Sequence, residues 1–422
     1  MDSATTGTLY EVGDLPPLGT VPRSMYASVI RPDRYGEPAT AFRTEVVDTP
    51  EVPPGFVLVA VMAAGINYNN VWSAKGHPVD VVGARRRQGA TEEFHIGGSD
   101  ASGIVWKTGP GVRHVEVGDE VIVSPGLWDR DDPGIRHGAD PMFAESLQAW
   151  GYESNWGSFA QFALVADFQC VPRPARLTWA ESAAFMLTGA TAYRQLNGWQ
   201  PHTVQPGDPV LIWGGSGGLG SMAISLTRQL GGRPIAVVSS PEKAKYCLGL
   251  GATGVIDRTR YSHWGRVPEA GTEEHRWWTA EVRRFGREIW DILGEKKSPR
   301  IVFEHPGGDT IPTSVYVCDT GGMVVICGAT SGYAVDVDLR YLWMRQKRLQ
   351  GSHFANPREY HAVARLVDMD LLDPHLGHTY GFEEIGQAHQ DLLEGAQAPG
   401  NSAVLVGASR GRGGAPSGTL EK

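Results

Sequence analysis

Leu211-Ile212-Trp213-Gly214-Gly215-Ser216-Gly217-Gly218-Leu219-Gly220 decides how this chain is read. An apolar run enters a turn in which Gly214, Gly217 and Gly220 stand three apart, where a helix should open. Glycine permits a sharp turn and lets the backbone approach a pyrophosphate, which the first helical N–H groups then face. The spacing predicts a dinucleotide-binding strand, turn and helix, with Gly214, Gly217, Gly218, Leu219 and Gly220 against the cofactor. Glycines also make ordinary strand–helix turns. The α/β pattern around the loop is what favours nucleotide binding.

The following apolar run, 234–238, ends at Ser239 and Ser240, about 20 residues beyond the loop, where an NAD site places Asp or Glu on the ribose 2′-hydroxyl. Two hydroxyls and Lys243 stand there instead. A 2′-phosphate would meet donors and no repelling carboxylate, which points to NADPH. Ser239-Ser240-Pro241-Glu242 also suits a helix N-cap, and the two roles are compatible.

Further out, strands at 209–213, 234–238, 254–256, 300–303, 323–327 and 348–351 alternate with helical segments, the pattern of a doubly wound parallel sheet. The charged, Trp-rich piece 261–298 is long for one crossover. Residues 26–30, 44–47, 56–62, 103–107 and 120–123 are short β runs separated by turns such as Pro53-Pro54-Gly55, as in a small barrel or sandwich. Stretches 73–95 and 126–150 are expected to be loops and 179–196 a helix. After Phe354 come helices at 358–371 and 382–394 and a strand at 403–406, a tail that returns to the first domain.

The boundaries that follow are an arm over 1–24, a first domain of 25–195 with 352–407, a nucleotide domain of 196–351, and a disordered Gly/Ser/Arg-rich tail over 408–422. A net charge of −9 disfavours a general nucleic-acid or membrane-surface role. No apolar run approaches the roughly 20 residues of a membrane span. Cys170, Cys247, Cys318 and Cys327 lie scattered without CxxC spacing, as free thiols of a cytoplasmic protein would.

A barrel-like first half, a dinucleotide unit and a returning tail resemble the medium-chain dehydrogenase/reductase superfamily over residues 25–407. The resemblance implies an α/β fold: a GroES-like β-barrel catalytic domain plus a Rossmann domain. Zinc-dependent members carry a cysteine early in the barrel and a Gly-His-Glu segment. Here Asn67-Tyr68-Asn69-Asn70 and Gly98-Ser99-Asp100 stand instead, so ligands for four-coordinate zinc are missing and no metal is expected.

Five strings narrow the resemblance: Asn67-Tyr68-Asn69-Asn70-Val71-Trp72, Trp150-Gly151-Tyr152-Glu153, Val302-Phe303-Glu304-His305-Pro306-Gly307, Arg340-Tyr341-Leu342-Trp343-Met344 and Gly351-Ser352-His353-Phe354. In this order they resemble the crotonyl-CoA carboxylase/reductases. That family reduces a 2-enoyl-CoA with NADPH and captures CO2 at the α-carbon, giving an alkylmalonyl-CoA.

The resemblance implies that Asn69, Tyr152, Glu153 and His353 hold CO2. Asn69 would donate an amide N–H, the backbone at Tyr152 another, and Glu153 and His353 would bond each other and fix a water. Arg283, Arg340 and Tyr341 would take the adenine end of CoA, with Arg283 where the family often has Lys. Gly189, in 186–191, would leave room for an acyl group longer than four carbons. The bland readings are a helix cap for Asn69, a turn carboxylate for Glu153, a core histidine for His353, solvated arginines and a packing glycine.

The resemblance also implies homotetramers built as pairs of dimers. Two other readings are a simple NADPH-dependent enoyl-thioester reductase and a non-enzymatic RNA-binding relative. The acidic balance and the lack of interleaved basic and aromatic runs argue against the second.

Overall fold

Phe56–Gly65 organises the first of two units. The computed structural model describes residues 5–409. One unit runs to Leu187 and resumes at Asn356, and the other is Thr188–Ala355. Phe56–Gly65 is apolar almost throughout and buried from Val57 to Gly65, because both its edges are paired. One edge takes Ala101–Thr108; the other takes Phe162–Ala166 and then Asn401–Leu405. A three-stranded sheet of Arg43–Asp48, Ser24–Ile30 and His95–Ile96 completes the barrel. It joins through Ser28 N–H to Phe159 O and Gln161 N–H to Tyr26 O. Residues 10–20 are tied to this unit, since Gln161 Nε2 donates to Tyr10 O and Glu11 O and Trp106 Nε1 to Thr20 O.

The tail returns because Asn401–Leu405 pairs antiparallel with the central strand. A further strand, Leu376–Tyr380, pairs parallel with it; the sequence reading lacked this strand. Residues 73–95 are also not a loop. Helices Asn69–Lys75 and Val81–Arg87 occupy much of it. The Asp80 side chain accepts from Gly83 N–H and starts the second helix. Arg85 is buried because its guanidinium donates to Val81 O and Phe94 O. Within 126–150, Gly126–Leu127 pairs with Gln148–Ala149. The expected disordered tail, 408–422, lies outside the described residues beyond 409.

The second unit is a six-stranded parallel sheet in the order Gly254–Asp257, Arg233–Val238, Pro209–Trp213, Ile301–Glu304, Met323–Ile326, Arg348–Gly351. The strand order reverses outward from Pro209–Trp213, and that switch point is where such sheets bind nucleotides. The piece 261–298 holds one long helix, Glu273–Leu293, capped by the Thr272 side chain and ended by Gly294 at φ 70°. Its buried face is Trp278, Val282, Phe285, Ile289 and Leu293, a helical spacing. Phe285 stacks on Trp213 at 5.8 Å.

The expected helix 179–196 is two: Trp179–Ala183 and Met186–Asn197. The units divide inside the second, at 187/188, rather than at 195/196, and again at 355/356 rather than 351/352. Bonding explains the first shift. Leu187 N–H donates to Asp100, whereas Gln195 donates to Glu304 O and Val325 O within the parallel sheet.

Candidate active site

The glycine loop opens helix Gly218–Gln229, with Gly217 as its N-cap. No side chain caps this end, so the first helical N–H groups are available to an anion. The glycines differ in necessity. Gly214 sits at φ 58°, and a Cβ there would lie 2.5 Å from His305 Nε2. A Cβ on Gly220 would lie 2.3 Å from Gly214 O. At Gly217 the nearest atom would be 3.6 Å away, ordinary contact. Gly214→Ala should therefore cost about 1–2 kcal/mol of stability, and Gly217→Ala almost none while weakening NADPH binding. Thermal melts and cofactor titrations of the two variants check this.

At the end of Arg233–Val238, the Ser240 hydroxyl accepts from Lys243 N–H at 3.3 Å and caps helix Pro241–Gly249. In that contact the hydroxyl acts as the acceptor. Ser239 is half-buried beside it. Behind the loop, burial pushes Glu304 up to about 7 although Ser314, Thr310 and Gly307 all donate to it. Burial likewise lowers His305 to about 4, so it is neutral as it meets Trp213 O at 3.1 Å.

In the first unit, Asn69 opens its helix but does not cap it; the N-cap is Tyr68. Asn69 Nδ2 donates to Ser99 Oγ at 2.7 Å, and Asn69 Oδ1 accepts from Asn70 Nδ2 at 2.9 Å. Beside this pair the buried Asp100 accepts from Asn67 Nδ2 at 2.9 Å and from Leu187 N–H at 2.8 Å. Burial outweighs both donors and pushes Asp100 up to about 8 from 3.8. The folded chain then binds this proton more tightly than the unfolded one, so the stability it contributes is present below about pH 4 and is lost as pH rises to about 8. Each tenfold change in proton affinity is worth about 1.4 kcal/mol. Stability should fall between pH 5 and 8, with Glu304 adding to the slope up to about 7. Asp100→Asn should flatten it, as denaturant titrations at several pH values would show.

Tyr152 is buried among Trp72, Val81 and Val82. Its backbone N–H donates to Ala149 O at 3.1 Å, so the expected CO2 donor is engaged in a turn. The Glu153 carboxylate accepts from Ala149 N–H at 2.7 Å and closes the same turn. His353 belongs to the other unit, exposed just after strand Arg348–Gly351.

The three CoA candidates lie in the second unit. Arg283 Nε donates to Tyr316 Oη at 3.3 Å, and Tyr316 meets Tyr341 edge to face at 4.8 Å. Tyr316 thus joins two of the candidates. Arg340 is held by Asp338 in a two-pronged ion pair of 3.0 and 2.7 Å. It borders a cleft of about 340 Å³ with Arg266, Glu269, His275 and Asp336. Gly189 is buried in the first turn of Met186–Asn197.

A crotonyl-CoA carboxylase/reductase of Cereibacter sphaeroides is 48% identical over 402 residues, spanning 95% of this chain and 92% of that protein. This chain belongs to the crotonyl-CoA carboxylase/reductase family. The solved crotonyl-CoA carboxylase/reductase AntE in complex with NADP is 60% identical over 95% of this chain and 99% of its own, with a TM-score of 0.91. The 2-octenoyl-CoA carboxylase reductase CinF, in complex with NADP and 2-octenoyl-CoA, is 37% identical over 93% and 90%, with a TM-score of 0.85. Two family models match: the alcohol dehydrogenase GroES-like domain over 53–175 and zinc-binding dehydrogenase over 218–369. The fold is accordingly a GroES-like barrel with a Rossmann domain.

The second of those models is named for zinc, but the positions where zinc-dependent relatives carry ligands do not make a zinc site here. Amides and a hydroxyl stand at the expected ligand positions and are bonded to one another. Among the described residues no group of three or more His, Cys, Asp or Glu side chains gathers that could hold a metal ion. Sequence reasoning did not single out Asn70, Ser99, Asp100, Tyr316 and Asp338, which the structure bonds to the candidate residues or sets beside them. For the first three a signal existed: adjacent amides at 67–70 and a polar pair after Gly97-Gly98, each within apolar surroundings.

Proposed function

We propose that this chain is an NADPH-dependent enoyl-CoA carboxylase/reductase that converts a 2-enoyl-CoA and CO2 into an alkylmalonyl-CoA. The observation that carries the reading is the Asn69–Ser99 pair, an ordered amide donor where zinc-dependent relatives of this fold hold a metal. The loop from Gly214 to Gly220 would hold the pyrophosphate, and Ser239, Ser240 and Lys243 the 2′-phosphate. When bound, the cofactor supplies the hydride for the substrate β-carbon.

An enolate is left across the α-carbon and thioester oxygen. Its capture depends on CO2 being held at the α-carbon, since positioning accounts for much of such an acceleration. Carbon dioxide has no net charge or dipole, so it must be held by donors aimed at its oxygens. Asn69 provides one. Glu153 would order a water beside CO2 and keep a proton donor away from the enolate, a role the resemblance also implies for His353. Tyr152 contributes through the turn that presents Glu153. Arg283 and Tyr341, joined by Tyr316, and Arg340 receive the adenine end of CoA.

Product mass after reaction with NADPH and crotonyl-CoA, with and without bicarbonate, tests this. A carboxylated product and bicarbonate-stimulated NADPH loss are expected. Butyryl-CoA alone under both conditions would establish a plain reductase. The same assay with 2-octenoyl-CoA tests whether Gly189 borders the acyl channel: turnover should persist at eight carbons, and a steep loss with chain length rejects that assignment.

We also read the protein as a cytoplasmic homotetramer. Strand Arg348–Gly351 ends its sheet unpaired on one side, and Leu339, Trp343, Met344 and Leu349 around it in sequence are exposed apolar side chains. Mass in solution checks the assembly. Among the described residues no helix is long and apolar enough to cross a membrane, and the four cysteines are free, with thiols pushed up to about 12 by burial.

A further inference from the structure

We infer that Asn70 and Ser99 are positioning residues which, anchored on the Gly98 backbone N–H, hold Asn69 in the orientation that donates to CO2. The inference rests on the reading of Asn69 as a CO2 donor. Gly98 N–H donates to Asn70 Oδ1 at 3.1 Å, Asn70 Nδ2 donates to Asn69 Oδ1 at 2.9 Å, and Asn69 Nδ2 donates to Ser99 Oγ at 2.7 Å. Asn70 and Ser99 are fully buried and Asn69 half-buried.

A primary amide can turn end for end, exchanging its oxygen and nitrogen; a backbone N–H cannot. The chain therefore has one direction. If Asn70 reversed, its NH2 would face the Gly98 N–H, donor against donor. If Asn69 reversed alone, its NH2 would face the NH2 of Asn70. A buried donor left against another donor loses its bond and stays desolvated. Asn69 thus keeps its oxygen toward Asn70 and its nitrogen toward Ser99, with its second amide hydrogen left for a ligand oxygen.

The backbone is built for this fit. A Cβ on Gly97 would lie 2.1 Å from Asn70 Oδ1, and Gly98 sits at φ 97°. Only the absence of a side chain at 97 lets the Asn70 amide reach the Gly98 N–H.

The test is the ratio of carboxylated to saturated product at saturating bicarbonate, measured on the full-length protein for Asn70→Asp, Ser99→Ala and Asn69→Leu. Asn70→Asp keeps an acceptor for Gly98 N–H but presents a second acceptor to Asn69, whose amide must then turn and offer its carbonyl outward. The ratio should fall about tenfold or more, because misplacing a group near the reacting atoms is costly. Ser99→Ala should lower it several-fold, and NADPH affinity should stay within about twofold for both.

A purely structural role would reduce both products together, and an unchanged ratio with lower total turnover overturns the inference. So does a wild-type ratio in folded Ser99→Ala, the variant that decides if Asn70→Asp fails to fold. Asn69→Leu separates the two levels. If it shifts the ratio and the other two do not, positioning fails and the CO2 reading stands; if it leaves the ratio unchanged, both fail.

Discussion

Asn69→Leu should turn this enzyme from one that makes mainly carboxylated product into one that makes mainly saturated acyl-CoA. Leucine approximates the shape of asparagine but donates nothing. Removing a donor so that its acceptor is left without a partner costs about 1–3 kcal/mol, which corresponds to a fall of roughly 5- to 150-fold in the ratio of carboxylated to saturated product. Hydride transfer to the β-carbon does not use Asn69, so NADPH consumption without bicarbonate should remain near that of the parent. The fold should weaken by a similar 1–3 kcal/mol, because Asn70 Nδ2 and Ser99 Oγ lose their partner. Mass spectrometry of both products, with a melting curve alongside, separates the two effects. An unchanged product ratio in a folded variant would remove Asn69 from the CO2 site.

Ser239→Asp should weaken NADPH binding about 10- to 100-fold and leave NADH binding unchanged or improved. The estimate follows from hydrogen bonds to charged groups, worth about 1.5–3 kcal/mol, here lost and replaced by repulsion between a carboxylate and the 2′-phosphate. Ser239 suits the experiment because the neighbouring Ser240, not Ser239, caps the helix that follows. The backbone should therefore be undisturbed. Initial rates with both cofactors give the preference as a ratio of kcat/KM. If the ratio does not move toward NADH, the 2′-phosphate is recognised elsewhere.

The two units were legible to different degrees. The second was read well because parallel strands buried on both faces are continuous apolar runs, and alternating helices leave few ways to order them. In the first, Leu376–Tyr380 carries Gly377 and His378 and has little apolar character of its own. Its register comes from Asn401–Leu405. The helix Val81–Arg87 was hidden by Arg85-Arg86-Arg87, a run that reads as solvated. Arg85 is buried because the carbonyl of Val81, one turn back in its own helix, and that of Phe94, in the segment after it, receive its guanidinium.

The same division holds at the site. The glycine loop and the serines after the second strand, proposed to hold the cofactor, could be singled out from sequence alone, because local backbone geometry and the absence of a carboxylate are properties of adjacent residues. The five strings that resemble one family likewise pointed to Asn69, Glu153 and His353. Only the tertiary structure decided which way the Asn69 amide faces and how tightly Asp100 holds its proton. The first depends on a backbone N–H 28 residues from Asn70. The second depends on enclosure by Asn67 and by Leu187, 87 residues away. Spacing along the chain encodes turns and periodicity. The direction of a hydrogen bond and the dielectric around a carboxyl exist only once distant segments have met.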